Sequence, residues 1–186
     1  MNRPFGKFWI FLLAFMAIYG FVRKTHTPLP LAHRPENVQN YLKKYKYLSI
    51  ELSQQTGIPL PIILAVAGLE SDWGRSHLAQ NANNHFGLKI KEDWIGEEYC
   101  ITTQEFANGF SYESYECFRK YPLIRQSYQD FGNFLQKRSH YQGLFSYPSW
   151  NYYRWAMGLQ ESGYATDPEY AQKLIRLIEV YQLDDL

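Results

Sequence analysis

Two cysteines and one Asn-Gly pair constrain the geometry of this chain more than any other feature of its sequence. The stretch YCITTQEFANGFSYESYECF, residues 99–118, is rich in Thr, Tyr and Phe and has Asn108-Gly109 at its middle. A two-residue hairpin turn needs positive φ at both positions, which Asn-Gly supplies at low cost, so the stretch reads as a β-hairpin. Counting outward from that turn in equal steps brings Cys100 opposite Cys117. The pair falls at a non-hydrogen-bonded position, where Cα atoms approach to about 4.5 Å, within disulfide reach. A disulfide stapling the base of the hairpin is therefore predicted.

The sequence around the hairpin is helical in period. Val38, Tyr41, Tyr45, Leu48 and Leu52 recur at steps of three and four, with Pro35 at the start and Gly57 past the end. Ile124, Tyr128, Phe131 and Leu135 repeat the pattern, as do Tyr152, Trp155 and Leu159 before Gly163. A last helix opens at TDPEYAQKL, with Asp167 as cap, Pro168 in the first turn and a stripe of Tyr170, Leu174, Leu177 and Tyr181. The fold expected is α+β and mainly α: one helical domain over 36–186 carrying a small β-hairpin lobe.

Ahead of that domain, Arg3 and Lys7 precede an uncharged stretch, FWIFLLAFMAIYGFV, from Phe8 to Val22. It is shorter than the roughly 20 residues of a membrane span and suits a signal-peptide core. Residues 1–24 read as a signal peptide or an N-terminal membrane anchor, and 25–35 as a linker. Export to the periplasm or cell envelope is expected, with anchoring in the inner membrane as one form of it. A net charge of +1 and the absence of long basic runs exclude the footprint of a nucleic-acid binder. Aromatic residues make up 18% of the chain, among them 16 tyrosines and 5 tryptophans, which suits both a packed core and a sugar-binding cleft.

One carboxylate stands out. Glu70 follows the apolar run GIPLPIILAVAGL, in which Pro61 suits a helix start and Ile62, Val66, Leu69 and Trp73 make one face. An apolar setting and the negative end of a helix dipole both disfavour the ionised form, so its pKa is expected to rise. A carboxyl kept protonated near neutral pH can serve as a general acid. Taken by itself, Glu70 also fits a surface glutamate at a helix end. The following ANNHFGLK supplies Asn83, Asn84, His85 and Phe86, groups that suit sugar hydroxyls and N-acetyl groups and equally suit a turn.

The run AVAGLESDWGRSHLAQNANNHFGLK resembles the core motif of the peptidoglycan-cleaving glucosaminidase domains, the glycoside hydrolases of flagellar muramidase and autolysin type. ITTQEFANG, CFRKYP, SYQDFGNFL and GYATDPEYAQKL resemble the later motifs of that family, in the same order. The resemblance runs from about Gly57 to the C-terminus. It implies a lysozyme-like helical fold with the hairpin lobe beside an active-site cleft, and cleavage of the β-1,4 bond after N-acetylglucosamine in glycan strands. Glu70 matches the family's general acid, Glu105 its second glutamate, acting as base or charge stabiliser, and Tyr164 a tyrosine close to the acid. Trp73, Asn83, Asn84, His85 and Phe86 are the expected substrate contacts. Asp72 stands where many members carry a small or neutral residue, which adds negative charge near the acid.

Strand parity supports Glu105, because Ile101, Thr103 and Glu105 share one face of the hairpin and Gln104 takes the other. No metal or cofactor is implied: His77, His85 and His140 are scattered, and no HExxH or Cys-His spacing occurs. Ser71 lacks the G-x-S-x-G elbow of a nucleophile. Two other functions fit the same residues, a muramidase or lytic transglycosylase cutting the other glycosidic bond, and a peptidoglycan-binding module without turnover.

Overall fold

The computed structural model describes residues 34–92, 94–107 and 110–186, with backbone alone over 103–107 and 110–112. The segment read as a signal peptide or anchor, 1–24, lies outside the described residues, as does all of the 25–35 linker except Arg34 and Pro35. Arg34 is fastened to the domain, since its guanidinium donates to the carbonyls of Tyr181, at 2.6 Å, and Gln182, at 3.1 Å. Among the described residues no helix is long and apolar enough to cross a membrane.

Among the described residues six α-helices and one hairpin are formed: α1 Glu36–Thr56, α2 Leu60–Ser71, α3 His77–Ala82, β1 Glu97–Ala107, β2 Phe110–Lys120, α4 Ile124–Lys137, α5 Tyr152–Glu161 and α6 Tyr170–Val180. Short 3-10 turns span Ser139–Ser146 and Leu183–Asp185. The layout is mainly α with a two-stranded antiparallel sheet, as expected. Two of the expected end signals are in place. Gly57 closes α1 in the left-handed region, at φ 77°, and returns its N–H to the Ser53 carbonyl at 2.8 Å. Pro61 occupies the first turn of α2, where its missing N–H costs nothing.

Helix α2 is the axis of the main core. Ile62, Ile63, Leu64, Ala65, Val66 and Ala67 are all fully buried, so the helix has no solvent face to alternate with its apolar one. Helices α1, α5 and α6 pack around it. That differs from the single face expected from Ile62, Val66, Leu69 and Trp73. The helix ends at Ser71, and Trp73 lies beyond it in a left-handed turn in which Asp72, Trp73 and Gly74 take φ of 48°, 53° and 79°. Two non-glycine residues there are strained, by about 1–2 kcal/mol each. Burial of the Trp73 indole offsets the strain. The ring lies across Gly68, where an added Cβ would come within 2.7 Å of it, and meets Tyr41 and Tyr181 edge-on.

Two starts differ from expectation. Helix α6 begins at Tyr170, because Asp167 and Pro168 form a turn of their own before it. In that turn the Asp167 carboxylate accepts the Glu169 N–H, at 2.9 Å, and the Asp167 carbonyl accepts the Tyr170 N–H. Helix α3 was not foreseen. It is one and a half turns long, and Ser76 caps it by accepting the Ala79 N–H at 3.1 Å.

The hairpin keeps the expected register along its length, with Cys100 opposite Cys117 and Glu105 opposite Tyr112. The two cysteines are disulfide-bonded, with Cα atoms 4.0 Å apart. A second, smaller core joins Leu78 and Ala82 of α3 to Phe118 of β2. The base of the hairpin is thus held by α3 on one side and by the staple between its own strands.

Closing this loop of 17 residues restricts the unfolded chain, so replacing both cysteines by serine is expected to lower unfolding free energy by about 3 kcal/mol. Urea unfolding of the Cys100→Ser/Cys117→Ser protein measures this, and a loss below about 1 kcal/mol would show that the staple contributes little to the fold.

Candidate active site

A cleft of about 850 Å³ opens between the main core and the hairpin lobe. Its walls come from the end of α2, the start of α3, the loop 86–91, both strands of the hairpin, α4 with the following 3-10 turn, and the segment 163–166. Among the described residues that line it, Glu70 alone carries a carboxylate.

Glu70 occupies the last turn of α2, where the apolar axis of the core meets the cleft. Desolvation in this setting raises its pKa to about 7, a rise opposed in part by a hydrogen bond from Tyr170. The Tyr170 hydroxyl donates to Glu70 Oε1 at 2.8 Å. Burial first, then the nearby Glu70 charge, push the Tyr170 phenol well up, so it stays a donor. With Oε1 accepting, the proton of the neutral acid belongs on Oε2. That oxygen lies beside Gly87, where an added Cβ would stand 3.0 Å from it. Gly87 also has φ 64°, so a larger residue there would be both strained and crowded against the acid.

Tyr164 lines the same cleft, but its hydroxyl donates to the Phe86 carbonyl at 2.8 Å and not to Glu70. Burial, followed by the Glu70 charge, raises its pKa strongly. Its proton is therefore committed to holding the 86–87 turn against the acid, and its oxygen can accept a further hydrogen bond. Tyr164 and Tyr170 stand side by side, ring centroids 5.7 Å apart.

The expected substrate contacts have a different task. Asn84 is fully buried, and its amide is used in full: Nδ2 donates to the carbonyls of Leu88 and Arg119, while Oδ1 accepts from the N–H groups of Phe86 and Leu88. Asn83 caps α3 in the left-handed region and donates to the Tyr121 carbonyl at 2.7 Å. His85 is buried and hydrogen-bonded through Nδ1 to the Tyr41 hydroxyl at 2.8 Å. Burial, then Lys44, holds His85 down at about 4, so it is neutral. Phe86 reaches the cleft wall, yet its ring is stacked on Phe131 with centroids 4.2 Å apart. Trp73 is buried under α2. Asn83, Asn84, His85 and Trp73 thus spend their side chains inside the protein, beneath Gly87 and Glu70, and of the five expected substrate contacts Phe86 lines the cleft.

Asp72 lies outside the cleft lining, exposed and paired with Arg75 at 2.9 Å, which offsets part of its charge. Glu105 sits in β1 on the parity of Ile101, which lines the cleft, and its side chain lies outside the described residues. The residue that sequence reasoning missed is Tyr170. It was assigned to an apolar stripe, and the stripe is real, but a tyrosine buried in one needs a partner for its O–H, and that requirement was the available signal.

A partly buried, protonatable carboxyl at the base of a sugar-sized cleft, oriented by a tyrosine, is the arrangement of a glycosidic general acid. The comparisons with known proteins point the same way. The glucosaminidase family model, described as mannosyl-glycoprotein endo-beta-N-acetylglucosaminidase, matches residues 46–183. The chain belongs to the glucosaminidase family.

Among its relatives in this family, peptidoglycan hydrolase FlgJ of Escherichia coli K12 is 36% identical over 131 residues, covering 68% of this chain and 41% of that protein. Exo-glucosaminidase LytG of Bacillus subtilis is 38% identical over 127 residues, 67% of this chain and 44% of that one. A peptidoglycan hydrolase mutant from Sphingomonas sp. A1 has a similar structure, with a TM-score of 0.70 at 30% identity, covering 79% of this chain and 96% of that one. The chain thus spans less than half the length of these two curated relatives, FlgJ and LytG.

Two measurements test the electrostatics of Glu70. Its folded pKa of about 7 lies above the ordinary 4.5, so ionising it costs no stability below about pH 4.5 and progressively more as pH rises through 7. Glu70→Gln is therefore expected to stabilise the fold by about 3 kcal/mol at pH 8 and to change little at pH 4. Thermal unfolding at the two pH values checks this, and equal effects at both would refute the raised pKa. Tyr170→Phe removes the bond that favours the ionised form, so the Glu70 carboxyl, followed by carbon-13 NMR, is expected to titrate above 7.

Proposed function

We propose that this protein is a peptidoglycan hydrolase that cleaves the β-1,4 glycosidic bond after N-acetylglucosamine in glycan strands, with Glu70 as the general acid. The observation that carries the reading is the partly buried Glu70, lining a cleft of about 850 Å³ with its Oε1 held by Tyr170. In this reading Oε2 delivers the proton to the leaving oxygen. Desolvation keeps the donor protonated up to about pH 7, where an ordinary carboxyl would already be ionised.

The second function that hydrolysis needs is negative charge or a base near the anomeric carbon. We assign it to Glu105. Support comes from strand parity, which puts position 105 on the face of Ile101, and from Glu70 being the one carboxylate among the described residues of the cleft wall. Tyr164, with its hydroxyl proton on the Phe86 carbonyl, presents an acceptor that suits the N–H of a 2-acetamido group. Export fits the Cys100–Cys117 disulfide, because such bonds persist in oxidising compartments. In the same reading, residues 1–24 deliver the domain to the cell envelope or tether it there.

Incubating purified peptidoglycan with the wild type and with Glu70→Gln, then reducing with borohydride and identifying the new ends by mass spectrometry, tests the assignment. The wild type is expected to produce N-acetylglucosaminitol ends, and the variant at least about 100-fold fewer. Reduced or anhydro N-acetylmuramic ends would transfer the activity to the other bond. Binding to sacculi with no released fragment from either protein would make the domain a binding module.

A further inference from the structure

We propose that Tyr141 is a substrate-binding residue, whose hydroxyl donates a hydrogen bond to the acetamido carbonyl of an N-acetylated sugar in the cleft. The proposal rests on the reading of the cleft as a glycan site and adds to it a contact that neither Glu70 nor its partner Tyr170 makes.

Tyr141 follows α4 in the 3-10 turn Ser139–Ser146, with its N–H on the Arg138 carbonyl at 3.0 Å. It belongs to the main core and is only 3% exposed. Its ring packs against Phe134, with centroids 5.5 Å apart, and against His140, at 4.1 Å. It also meets the ring of Tyr164 at 6.3 Å. A ring held by three neighbours fixes its hydroxyl before any ligand arrives.

That hydroxyl has no hydrogen-bond partner among the described residues, which sets it apart from the other tyrosines around the site. Tyr164 donates to the Phe86 carbonyl, Tyr170 to Glu70 and Tyr121 to Asp130. Nor is the Tyr141 hydroxyl sealed in the interior, so its oxygen reaches the cleft that the residue lines. A phenylalanine would pack as well in the core. A phenol placed there calls for a partner, and the room for one is in the cleft.

Its partner must be an acceptor. Burial, opposed in part by Arg138, pushes the Tyr141 phenol up to about 12, so it keeps its proton. Tyr164 beside it has committed its own proton to Phe86 and offers an acceptor. Sugar hydroxyls require no such division, because each both donates and accepts through one oxygen. An amide does require it, donating through N–H and accepting through C=O. A phenolic donor next to a phenolic acceptor therefore suits an acetamido group, whose carbonyl is a better acceptor than the hydroxyl and ether oxygens around it.

The test uses full-length Glu70→Gln protein, so the readout is binding and does not depend on turnover. Glycan strands stripped of peptide stems are de-N-acetylated, then re-acylated with acetyl groups or with thioacetyl groups, whose sulfur is a poor acceptor, and binding is followed by fluorescence anisotropy. The protein with Tyr141 intact is expected to bind the acetyl strands about tenfold more tightly than the thioacetyl ones, the scale of one hydrogen bond with a carbonyl left unpaired in its absence. Adding Tyr141→Phe should weaken binding of the acetyl strands by about tenfold and leave the two kinds of strand within about twofold of each other.

Thermal unfolding supplies the structural comparison. Tyr128→Phe, which breaks the 2.9 Å bond between the Tyr128 and Tyr41 hydroxyls, is expected to lower Tm by about 3 °C, and Tyr141→Phe to change it by less than about 1 °C. A fall in Tm for Tyr141→Phe as large as that for Tyr128→Phe would show a hydroxyl used inside the protein and overturn the proposal. Unchanged affinity in Tyr141→Phe, an equal loss for both kinds of strand, or no binding to either would overturn it too, even with N-acetylglucosaminitol ends established for the active enzyme.

Discussion

A carboxyl group at the end of a helix that is buried on every side has very few places to go. Helix α2 is sealed from Ile62 to Ala67 by α1, α5 and α6, so its position is set by packing over most of its length and its last turn inherits that rigidity. Glu70 is carried on that turn to a place where the core gives way to a cleft. Its raised pKa and the strained left-handed turn at Asp72 and Trp73 follow from the same cause. The chain must reverse immediately after an apolar helix, and Trp73, folded back over Gly68, keeps the reversal tight.

The opposite wall is organised by a single amide. Asn84 joins the carbonyls of Leu88 and Arg119 to the N–H groups of Phe86 and Leu88, and so fastens the turn that carries Gly87 to the last residues of β2. The loop and strand are further laced by Ile90 N–H to the Cys117 carbonyl, at 3.0 Å, and by Arg119 N–H to the Leu88 carbonyl, at 2.9 Å. Two walls that share backbone hydrogen bonds cannot move independently. The disulfide at Cys100 and Cys117 sits at this junction, so one covalent bond steadies both the hairpin and the loop that faces the acid.

Sequence reasoning found the elements better than it found the roles. The hairpin register followed from Asn108-Gly109 because strand pairing is a counting problem once the turn is placed. Helices with one apolar stripe, such as α1 and α4, were legible for the same reason. Helix α2 was read with a single face from the spacing of Ile62, Val66, Leu69 and Trp73, and the packed structure shows that its other faces are covered too. Polar residues were the hardest. Asn83, Asn84 and His85 carry the chemistry of sugar binding and of loop-making equally well, and which of the two they perform depends on partners far along the chain, Tyr41 and Arg119 among them. Tyr170 was hidden by the reverse error, since its ring belongs to the core and only its hydroxyl reaches the site.

The hydroxyl of Tyr170 has one more effect. By occupying Oε1 it makes the acid one-sided, leaving Oε2, beside Gly87, as the oxygen from which a proton can depart. The side of the cleft that meets an available proton is thus chosen by a phenol on α6.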